Sequence, residues 1–387
     1  MKVAYIGKIQ LSDVDLSYLH EAQQLVDMTY IMEVTPRFMR GPAFNIPAIY
    51  PKTGVFKAVD VYPEFRKYSE FIDIDKFYVV NTCGKLWYLK AFWTNFLLLL
   101  FLIRNKFDVL HLAWAPNLYE FIIYYLRHKM MLTVHDPFPH TGLDTFIVRL
   151  RRKVAFFLIP RLIILNKAQK QEFINYYLLP PEQVINSLLS SYTYLRTVRQ
   201  NVSYLPKSNR YVLFVGKIHP YKGLEYLLPA MEKVHKECPD SCLIVAGSGT
   251  FSFDIEKYKS LSYIEIRNRF IPDEELVTLI CHSEFIVCPY TDATQSGVIM
   301  SAYAFCKPVI ATNVGGLPEM VKHNQYGLIV QEKNVDTLAD AIVSLWRQPQ
   351  LVDAFSHQIE SNYEVGNLSW RKIAEDLLKE YRAMQKS

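Results

Sequence analysis

The sequence lacks the features that mark several classes of protein. Its six cysteines are scattered, without paired clamps or regular spacing, so neither a zinc site nor a disulfide framework is expected and a cytoplasmic location is favoured. The net charge is only +5 over 387 residues, which gives no case for nucleic-acid binding. The N-terminal segment MKVAYIGKIQ predicts a strand and has no signal-peptide pattern. Short repeats and low-complexity segments are also absent from the sequence.

What the sequence does contain indicates an α/β protein with more than one core. Half of the residues are apolar and 14% are aromatic, which excludes disorder, and the length favours two domains of roughly 190 residues each. Strand and helix patterns alternate, which predicts parallel, doubly wound sheets. In the first half, strands are predicted at Lys2–Ile6, Tyr30–Val34, Phe77–Asn81, Val109–Ala113, Met131–His135 and Leu162–Leu165, and helices near Tyr18–Leu25, Leu86–Ile103, Asn117–Lys129 and Thr145–Ile159.

A polar break in this alternation predicts the domain boundary. The segment Arg196–Asn209 contains polar residues and a proline, so we place the linker there. The predicted domains are residues 1–196 and 197–366. The stretch WRKIAEDLLKEYRAM then forms an amphipathic helix, within about residues 367–387, with Ser369 as its N-cap.

The stretch Tyr290–Glu319 carries the clearest functional signal. An apolar strand, EFIVCPY, leads into the polar turn TDATQSG, which opens an apolar helix; the following strand, KPVIATNV, ends in Gly315 and Gly316. A helix N-terminus presents unpaired N–H groups and the positive end of the helix dipole, and glycine allows close backbone approach. The stretch therefore predicts the floor of a site for a phosphorylated ligand.

A second strand–turn–helix follows the same logic. In RYVLFVGKIHPYKGLEYLLPAMEKV, Gly216 ends the strand, Lys217 and Lys222 lie in the turn, and Gly223 precedes the helix. Two lysines beside helix N-termini would hold a diphosphate. The alternative is an ordinary turn with surface lysines.

These two segments, in this order and spacing, resemble the nucleotide-sugar domain of the "group 1" (family 4) retaining glycosyltransferases. The resemblance runs from about Arg210 to Leu345 through FVGKIHPYKG, LIVAGSG, RFIPDEELVTLICHSEFIVCPY and KPVIATNVGGLPEMVKHNQYGLIV. The N-terminal half matches more weakly, through MLTVHDPFPHTG and RLIILNKAQKQEF, as does NLSW near the C-terminus. The resemblance implies the GT-B fold, two Rossmann-like domains facing across a cleft, with the C-terminal helix crossing back to the N-terminal domain.

The resemblance also implies which residues form the site. Lys217 and Lys222 would stabilise the leaving diphosphate, and His135 would lie against the donor sugar. The remaining donor-binding residues would be Gly216, Phe270, Ile271, Asp292, Thr294, Gln295, Ser296, Gly297, Ser301, Gly315, Gly316 and Glu319. On the acceptor side, Asp136 would orient His135, with His140 close by. The alternative for TVHDPFPH is a stiff turn whose histidines are incidental.

The sequence departs from the family pattern at three positions. The two glutamates that the family usually carries, eight residues apart, fall on Ala293 and Ser301, neither of which is acidic. Asp292 could replace the first, and a serine hydroxyl would bind a ribose more weakly than a carboxylate would. Lys217 stands where many relatives have arginine, which keeps the charge but loses the bidentate fork.

No metal and no cofactor is expected. A DxD carboxylate pair in a suitable turn is missing, and we interpret Asp13–Asp15 (DVD) as the acidic start of a helix. Lysines and backbone N–H groups would then stabilise the departing diphosphate without a metal. Retention of anomeric configuration is implied by the resemblance alone.

Two apolar segments bear on membrane binding. Ala91–Ile103 is too short to span a bilayer and is expected to be a buried helix. Between Thr145 and Gln171 there are seven cations and no acid, and Arg149, Arg151, Arg152 and Lys153 would suit an anionic membrane surface. The alternative is a core helix with a solvated basic edge.

The sequence as a whole predicts a glycosyltransferase. It would move a sugar from a nucleotide-diphosphate donor to a saccharide or lipid-linked saccharide, in bacterial surface polysaccharide synthesis, and lie peripherally on the inner face of the cell membrane. The missing glutamates leave open a non-catalytic partner subunit of another transferase. A nucleotide-sugar epimerase is a further alternative.

Overall fold

The structure is a computed structural model that describes residues 1–138, 145–206, 208 and 210–386. Two compact units appear: residues 1–189 with 370–387, and residues 190–369. The segment expected to be a linker instead packs within the second unit. Tyr192 N donates to Met300 O at 3.0 Å, and Asn201 N donates to Thr278 Oγ1 at 2.9 Å. The second unit begins at Ser190, a few residues before the expected boundary.

The first unit is built on an eight-stranded sheet. All neighbouring strands pair in parallel except β3, which runs antiparallel to β4 at the edge. Strand order is β3-β4-β2-β1-β5-β6-β7-β8, for strands β1 (Lys2–Lys8), β2 (Asp27–Val34), β3 (Gly54–Lys57), β4 (Phe77–Asn81), β5 (Val109–Leu112), β6 (Met130–Val134), β7 (Arg161–Ile164) and β8 (Val184–Asn186). The central strands are apolar and buried on both faces, as a parallel sheet covered by helices requires.

Helices cover both faces of this sheet. The α-helices are α1 (Ser12–Ala22), α2 (Ala58–Val61), α3 (Trp87–Asn105), α4 (Phe146–Leu158) and α5 (Lys170–Tyr177). The 3-10 segments are Ile9–Leu11, Pro63–Tyr68, Ile74–Lys76, Leu118–Lys129 and Pro181–Gln183. The last helix of the chain, Trp370–Lys386, belongs to this unit and packs against α1 and β5. Its start directly after Ser369 agrees with the prediction.

The second unit has a six-stranded, all-parallel sheet. Strand order is β11-β10-β9-β12-β13-β14, for strands β9 (Val212–Val215), β10 (Leu243–Gly247), β11 (Ile264–Asn268), β12 (Ile286–Cys288), β13 (Val309–Thr312) and β14 (Gly327–Val330). Its α-helices are α6 (Leu224–Glu237), α7 (Glu256–Lys259), α8 (Asp273–His282), α9 (Gly297–Tyr303), α10 (Leu317–Val321), α11 (Val335–Arg347) and α12 (Pro349–Glu360), so the terminal helix Trp370–Lys386 is α13. Thr193–Thr197, Val202–Tyr204 and Pro220–Lys222 are 3-10, and Ser361–Val365 is a π-helix.

Both sheets are doubly wound, which confirms the predicted fold class. In the second unit, β10 and β11 lie on one side of β9, and the chain then crosses to the other side of β9 to form β12, β13 and β14. In the first unit the same reversal occurs between β1, which leads to β2, and β5, which leads to β6. Open α/β sheets bind ligands at the carboxyl ends of the strands where this reversal occurs. Each unit therefore has one topologically favoured site.

Candidate functional site

The favoured site of the second unit lies where β9 and β12 end side by side. The loop after β9 carries Gly216, Lys217 and Lys222, and the loop after β12 carries the TDATQSG turn. Thr291 N donates to Tyr221 O at 2.8 Å, and Gly316 N donates to Ala293 O at 3.3 Å. The structure thus brings together the two segments that the sequence singled out, including the loop after β13 with its two glycines.

Two glycines make this close approach possible. Gly223 has φ +70°, and a Cβ there would lie 1.8 Å from Pro289 O. Gly315 has φ +50°, and its Cβ would lie 1.6 Å from Ala293 O. Any side chain at either position would force the neighbouring loop away, because a carbonyl oxygen cannot yield as a flexible side chain can. The backbone geometry of the site therefore requires glycine at both positions.

Lys222 is the cation that this backbone holds in place. Its Nζ lies 3.5 Å from the centre of the Tyr290 ring and 5.0 Å from that of Tyr221. Among the described residues, no carboxylate lies within ion-pair distance of it. Burial lowers the pKa of Lys222 to about 8. A partly desolvated ammonium that rests on aromatic faces would gain strongly from an incoming anion.

Helix dipoles contribute less than the sequence suggested. The helix α6, which follows Lys222, has 14 residues, but α9 has only seven and α10 only five. Short helices have a small macrodipole, although the N–H groups of a first turn remain available to a ligand. Ser296 lies at the N-cap of α9, and its hydroxyl donates to Tyr290 Oη at 3.3 Å. The site therefore depends on Lys222 and on backbone N–H groups more than on two full helices.

The two positions of the family glutamates have distinct surroundings. Ala293 lies in the turn, and its carbonyl receives the Gly316 N–H. Ser301 is buried on α9 and donates its hydroxyl to Gly297 O at 2.9 Å, so its Oγ remains only as an acceptor. Asp292 is exposed, and its charge adds to burial in raising the pKa of Tyr221. Asp292 is thus close to the lysine loop.

The other predicted donor residues lie around the same edge of the sheet. Lys217, Gly297, Gly315 and Glu319 are exposed, Gly216, Thr294 and Gln295 are half-buried, and Gly316 is buried. Phe270 is 77% exposed and Ile271 is half-buried, in the loop after β11. That loop is held by Glu275, whose fully buried carboxylate accepts hydrogen bonds from Arg267 at 2.9 Å and from Arg269 at 2.6 Å.

Sequence reasoning missed the aromatic floor under Lys222. Tyr290 is fully buried and Tyr221 is partly exposed, and neither was singled out. The available signal was their adjacency, since Tyr221 directly precedes Lys222 and Tyr290 ends the strand that leads into the TDATQSG turn. Aromatic side chains beside a lysine in a glycine-bounded turn indicate a cation held in a fixed position.

In the first unit, His135 lies at the carboxyl end of β6. Its ring is hydrogen-bonded to the backbone carbonyl of Ala113, and it stacks on Trp114 with ring centres 6.4 Å apart. Burial lowers the pKa of His135 to about 4, so the ring is neutral at pH 7. Because a carbonyl can only accept, Nδ1 carries the proton. Nε2 is buried, finds no hydrogen-bond partner among the described residues, and can accept a hydrogen bond from a hydroxyl.

The surroundings of His135 correct one expectation and leave one outside the structure. The ring binds the Ala113 carbonyl, and the charge of Asp136 raises the pKa of His135 against the effect of burial, so the orienting role of Asp136 stays a prediction. Arg152, expected to face a membrane, is buried and donates from Nη2 to the carbonyls of Asp136 and Pro137, both at 2.5 Å. His140 lies outside the described residues. His111 is a structural residue, bonded to Tyr381 Oη at 2.5 Å and to Thr133 Oγ1 at 2.7 Å.

A cavity of about 380 Å³ lies beside Asp136, at the carboxyl ends of β1, β5 and β6. Phe38, Trp114 and Phe138 supply apolar walls, and Lys8, Arg37, Asn117 and Arg151 supply polar groups. Lys8 Nζ lies 3.1 Å from Glu120 and 3.2 Å from Glu33. Burial raises the pKa of Glu33 to about 7 against the opposing charge of Lys8. Sequence reasoning missed this triad because its members lie far apart in the chain.

Within the described part of the chain, no group of three or more His, Cys, Asp or Glu side chains could hold a metal ion. Asp13 and Asp15 lie in the first turn of α1, as the helix-start interpretation predicts. Asp15 is buried and accepts hydrogen bonds from Tyr5 Oη at 2.8 Å and Tyr30 Oη at 3.1 Å. Burial raises its pKa well above the usual value, which suits a structural acid.

Comparison with known proteins agrees with this geometry. Residues 209–348 match the family model of glycosyl transferases, group 1. The matched residues include the lysine loop, the TDATQSG turn and the loop after β13. A D-inositol 3-phosphate glycosyltransferase of Rhodococcus jostii is 34% identical over 182 residues, which cover 44% of this chain and 40% of that protein. An uncharacterised glycosyltransferase of Methanocaldococcus jannaschii is 31% identical over 182 residues, 44% of each chain. The chain thus spans less than half the length of these relatives.

Solved structures extend the likeness to both units. Sucrose-phosphate synthase from Thermosynechococcus elongatus aligns with a TM-score of 0.68 at 16% identity, over 99% of both chains. The Anabaena protein HepE, solved in complex with UDP, aligns with a TM-score of 0.68 at 14% identity, over 99% of this chain and 100% of that one. At such identity the likeness concerns the fold alone. The chain has the GT-B fold.

Proposed function

We propose that the protein is a retaining glycosyltransferase that moves a sugar from a nucleotide-diphosphate donor to a saccharide or lipid-linked saccharide. The observation that carries this proposal is the position of Lys222. Its Nζ rests on the Tyr290 ring where β9 and β12 end side by side, and no carboxylate in the described chain lies beside it. A cation that is costly to bury and lacks an internal counter-ion favours an external anion. The UDP bound by HepE is consistent with a nucleotide diphosphate here.

The proposed chemistry follows from charge. When the sugar leaves, negative charge grows on the diphosphate, and Lys222, Lys217 and the backbone N–H groups of the TDATQSG turn stabilise it without a metal. His135, neutral at pH 7, accepts a hydrogen bond from a sugar hydroxyl through Nε2 and does not act as a cation. The aromatic walls and cations of the cavity beside Asp136 suit the acceptor.

The test uses binding and turnover together. UDP, GDP and ADP are titrated by calorimetry into the wild type, Lys222→Ala and Lys236→Ala; Lys236 is an exposed lysine at the far end of the same helix, α6. We expect Lys222→Ala to weaken the preferred nucleotide by about 10- to 100-fold, the loss typical of a charged hydrogen bond, and Lys236→Ala to have no effect.

A turnover assay distinguishes an active transferase from a non-catalytic subunit. Hydrolysis or transfer from the matching nucleotide sugar, unchanged by excess EDTA and lost in Lys222→Ala, is the expected result, and retained configuration is read from the anomer of the product. Binding without turnover on any donor would favour the non-catalytic subunit, and loss of turnover with EDTA would remove metal independence from the proposal. The comparisons favour neither the subunit nor the epimerase.

We also propose a cytoplasmic location at the inner face of the cell membrane, with a role in bacterial surface polysaccharide synthesis. The basic segment that suggested it needs correction. Arg152 is buried, and Arg151 donates from Nη1 to Asn117 Oδ1 at 2.6 Å, whereas Arg149 and Lys153 are exposed. The exposed cations of α4 are therefore Arg149 and Lys153. A charge reversal at Arg151 or Arg152 would damage the fold instead of testing the membrane.

A further inference from the structure

Large exposed apolar side chains are concentrated on three consecutive helices of the first unit. These are α3, the 3-10 helix Leu118–Lys129 and α4, which together we call the apolar face. Phe157 is 84% exposed, Tyr125 69% and Trp93 57%. The other exposed members on these helices are Tyr88, Leu89, Phe92, Ile103, Phe121, Phe146, Ile147, Leu150 and Val154. Single exposed apolar residues are normal, but a patch of this extent marks an interaction surface.

The three helices form one continuous surface. The rings of Phe92 and Phe121 lie 5.8 Å apart and join α3 to the 3-10 helix. Arg151 on α4 donates to Asn117, which caps the 3-10 helix. All three helices occur in connections between β4 and β7, and right-handed crossovers place such connections on one face of the sheet. The exposed side chains are therefore the outward stripe of helices whose inward stripe is core.

The charges of the apolar face have one sign. Neither α3 nor α4 contains an acidic residue, and the one acid of the 3-10 helix, Glu120, is buried against Lys8. Exposed cations border the apolar side chains: Lys90, Arg104, Arg127, Arg149 and Lys153. A protein partner would need matching acidic and apolar surfaces, whereas an anionic lipid bilayer offers both phosphate charge and apolar depth at any point.

The helix α3 is not placed to span a membrane, because one side of it packs in the core of the first unit. Among the described residues, α3 is the one helix long and apolar enough to cross a membrane by length and composition, and a third of its apolar window is buried. Its inward stripe, including Ala91, Leu98 and Leu102, packs into the core of the first unit. Removing α3 to span a bilayer would open that core. The helix expected to be buried at Ala91–Ile103 is therefore buried along one stripe only, and its opposite stripe is exposed.

We propose that the apolar face docks on the surface of an anionic bilayer, with Trp93, Tyr125 and Phe157 entering the boundary between headgroups and acyl chains. The cations at its margin contact lipid phosphates, and the helices lie in the plane of the membrane. The proposal makes the proposed membrane location specific, and it is independent of glycosyl transfer, since lipid binding is measured without nucleotide or acceptor.

The first test uses Trp93, the more exposed of the two tryptophans on α3. Vesicles of phosphatidylcholine, with or without phosphatidylglycerol, are titrated into the wild type while tryptophan emission is recorded. We expect a blue shift with anionic vesicles, quenching by lipids brominated on the acyl chains, and weakening of both by salt. Trp93→Phe should remove most of the quenching. Emission unaffected by brominated lipid would overturn the proposal without any reliance on a variant.

Co-sedimentation with the same vesicles provides the second test. We expect the triple variant Trp93→Ser/Tyr125→Ser/Phe157→Ser to bind at least about tenfold more weakly, because membrane affinity scales with buried apolar area. Arg149→Glu/Lys153→Glu should weaken the dependence on phosphatidylglycerol, while Lys90, Arg104 and Arg127 remain. The control variant Val202→Ser/Val365→Ser replaces exposed apolar residues of the second unit and should bind as the wild type does. Equal binding by the triple variant would refute the proposal. So would a wild-type dimer that the triple variant dissociates, with no vesicle binding, since a second copy would then occupy the face.

Discussion

Replacing Lys222 with methionine should make the protein more stable while weakening nucleotide binding. Burial lowers the pKa of Lys222 from 10.5 to about 8, which corresponds to about 3 kcal/mol of unfavourable free energy for the charged form at pH 7. The contact with the Tyr290 ring offsets about 1 kcal/mol of this cost. Methionine fills a similar volume without charge, so we expect the free energy of unfolding to rise by about 1–3 kcal/mol.

The change with pH of the stability gained by Lys222→Met provides an internal check. Below pH 8 the lysine is protonated in both the folded and the unfolded state, so the full penalty is present. Between pH 8 and 10.5 the folded protein releases the proton before the unfolded chain does, and the penalty disappears as the pH rises. The stability advantage of Lys222→Met should therefore be largest at neutral pH and nearly gone above pH 10.5.

The assay combines urea unfolding at several pH values, followed by circular dichroism, with calorimetric titration of the preferred nucleotide. Nucleotide affinity should fall by about 10- to 100-fold, since a charged hydrogen bond contributes about 1.5–3 kcal/mol. Lys236→Met, at an exposed site on the same helix, should change unfolding by less than about 0.5 kcal/mol and leave binding intact. Destabilisation by Lys222→Met, or stabilisation with unchanged nucleotide affinity, would refute the reasoning.

Three further outcomes follow from the same geometry. The value of kcat/KM for the nucleotide sugar should fall as the pH rises above about 8, because free enzyme loses the Lys222 charge there, and a pH profile checks this. Gly223→Ala should lower the unfolding free energy by more than about 1 kcal/mol in urea titrations, since φ is +70° and Pro289 O blocks a Cβ. Glu275→Gln should cost about 3 kcal/mol in the same titrations by removing the buried carboxylate that Arg267 and Arg269 share, although Arg267 keeps its ion pair with Glu265, and an unchanged midpoint would contradict the assigned ion pairs.

Much of the fold could be predicted because the local apolar pattern of a segment matches its burial in the folded protein. Runs such as VLFV and VIAT are apolar on both faces, as central parallel strands must be, and the structure has strands there. The short edge strands β3 and β8 carry no such run, and neither is predicted from the sequence. The helix α1 begins at Ser12, earlier than the apolar pattern near Tyr18–Leu25 indicates but in agreement with the acidic start at Asp13–Asp15.

The errors concern contacts between residues far apart in the chain. The segment 196–209 has the polar composition of a linker, yet Arg196 Nε donates to Ala304 O at 2.6 Å and Arg267 donates to Tyr204 O at 2.7 Å. No local sequence pattern predicts these hydrogen-bond partners, because they lie more than 60 residues away in the chain. Arg152 is different, because its spacing from Ala155, Phe156 and Ile159 places it on the inward stripe of α4, so helical period alone predicts its burial.

The missing glutamates and the isolated lysine are connected physically. At position 293 the structure retains a backbone carbonyl that receives Gly316 N, so the loop geometry survives although the side chain has no charge. At Ser301 the hydroxyl is already bonded to Gly297 O, which leaves only a neutral acceptor. Carboxylates near Lys222 would have stabilised its charge internally and competed with an incoming diphosphate. Without them, the cation depends on the Tyr290 ring in the free protein, and its desolvation cost is relieved when an anion arrives. The absence of acids at these two positions would therefore make the proposed diphosphate binding depend more strongly on Lys222.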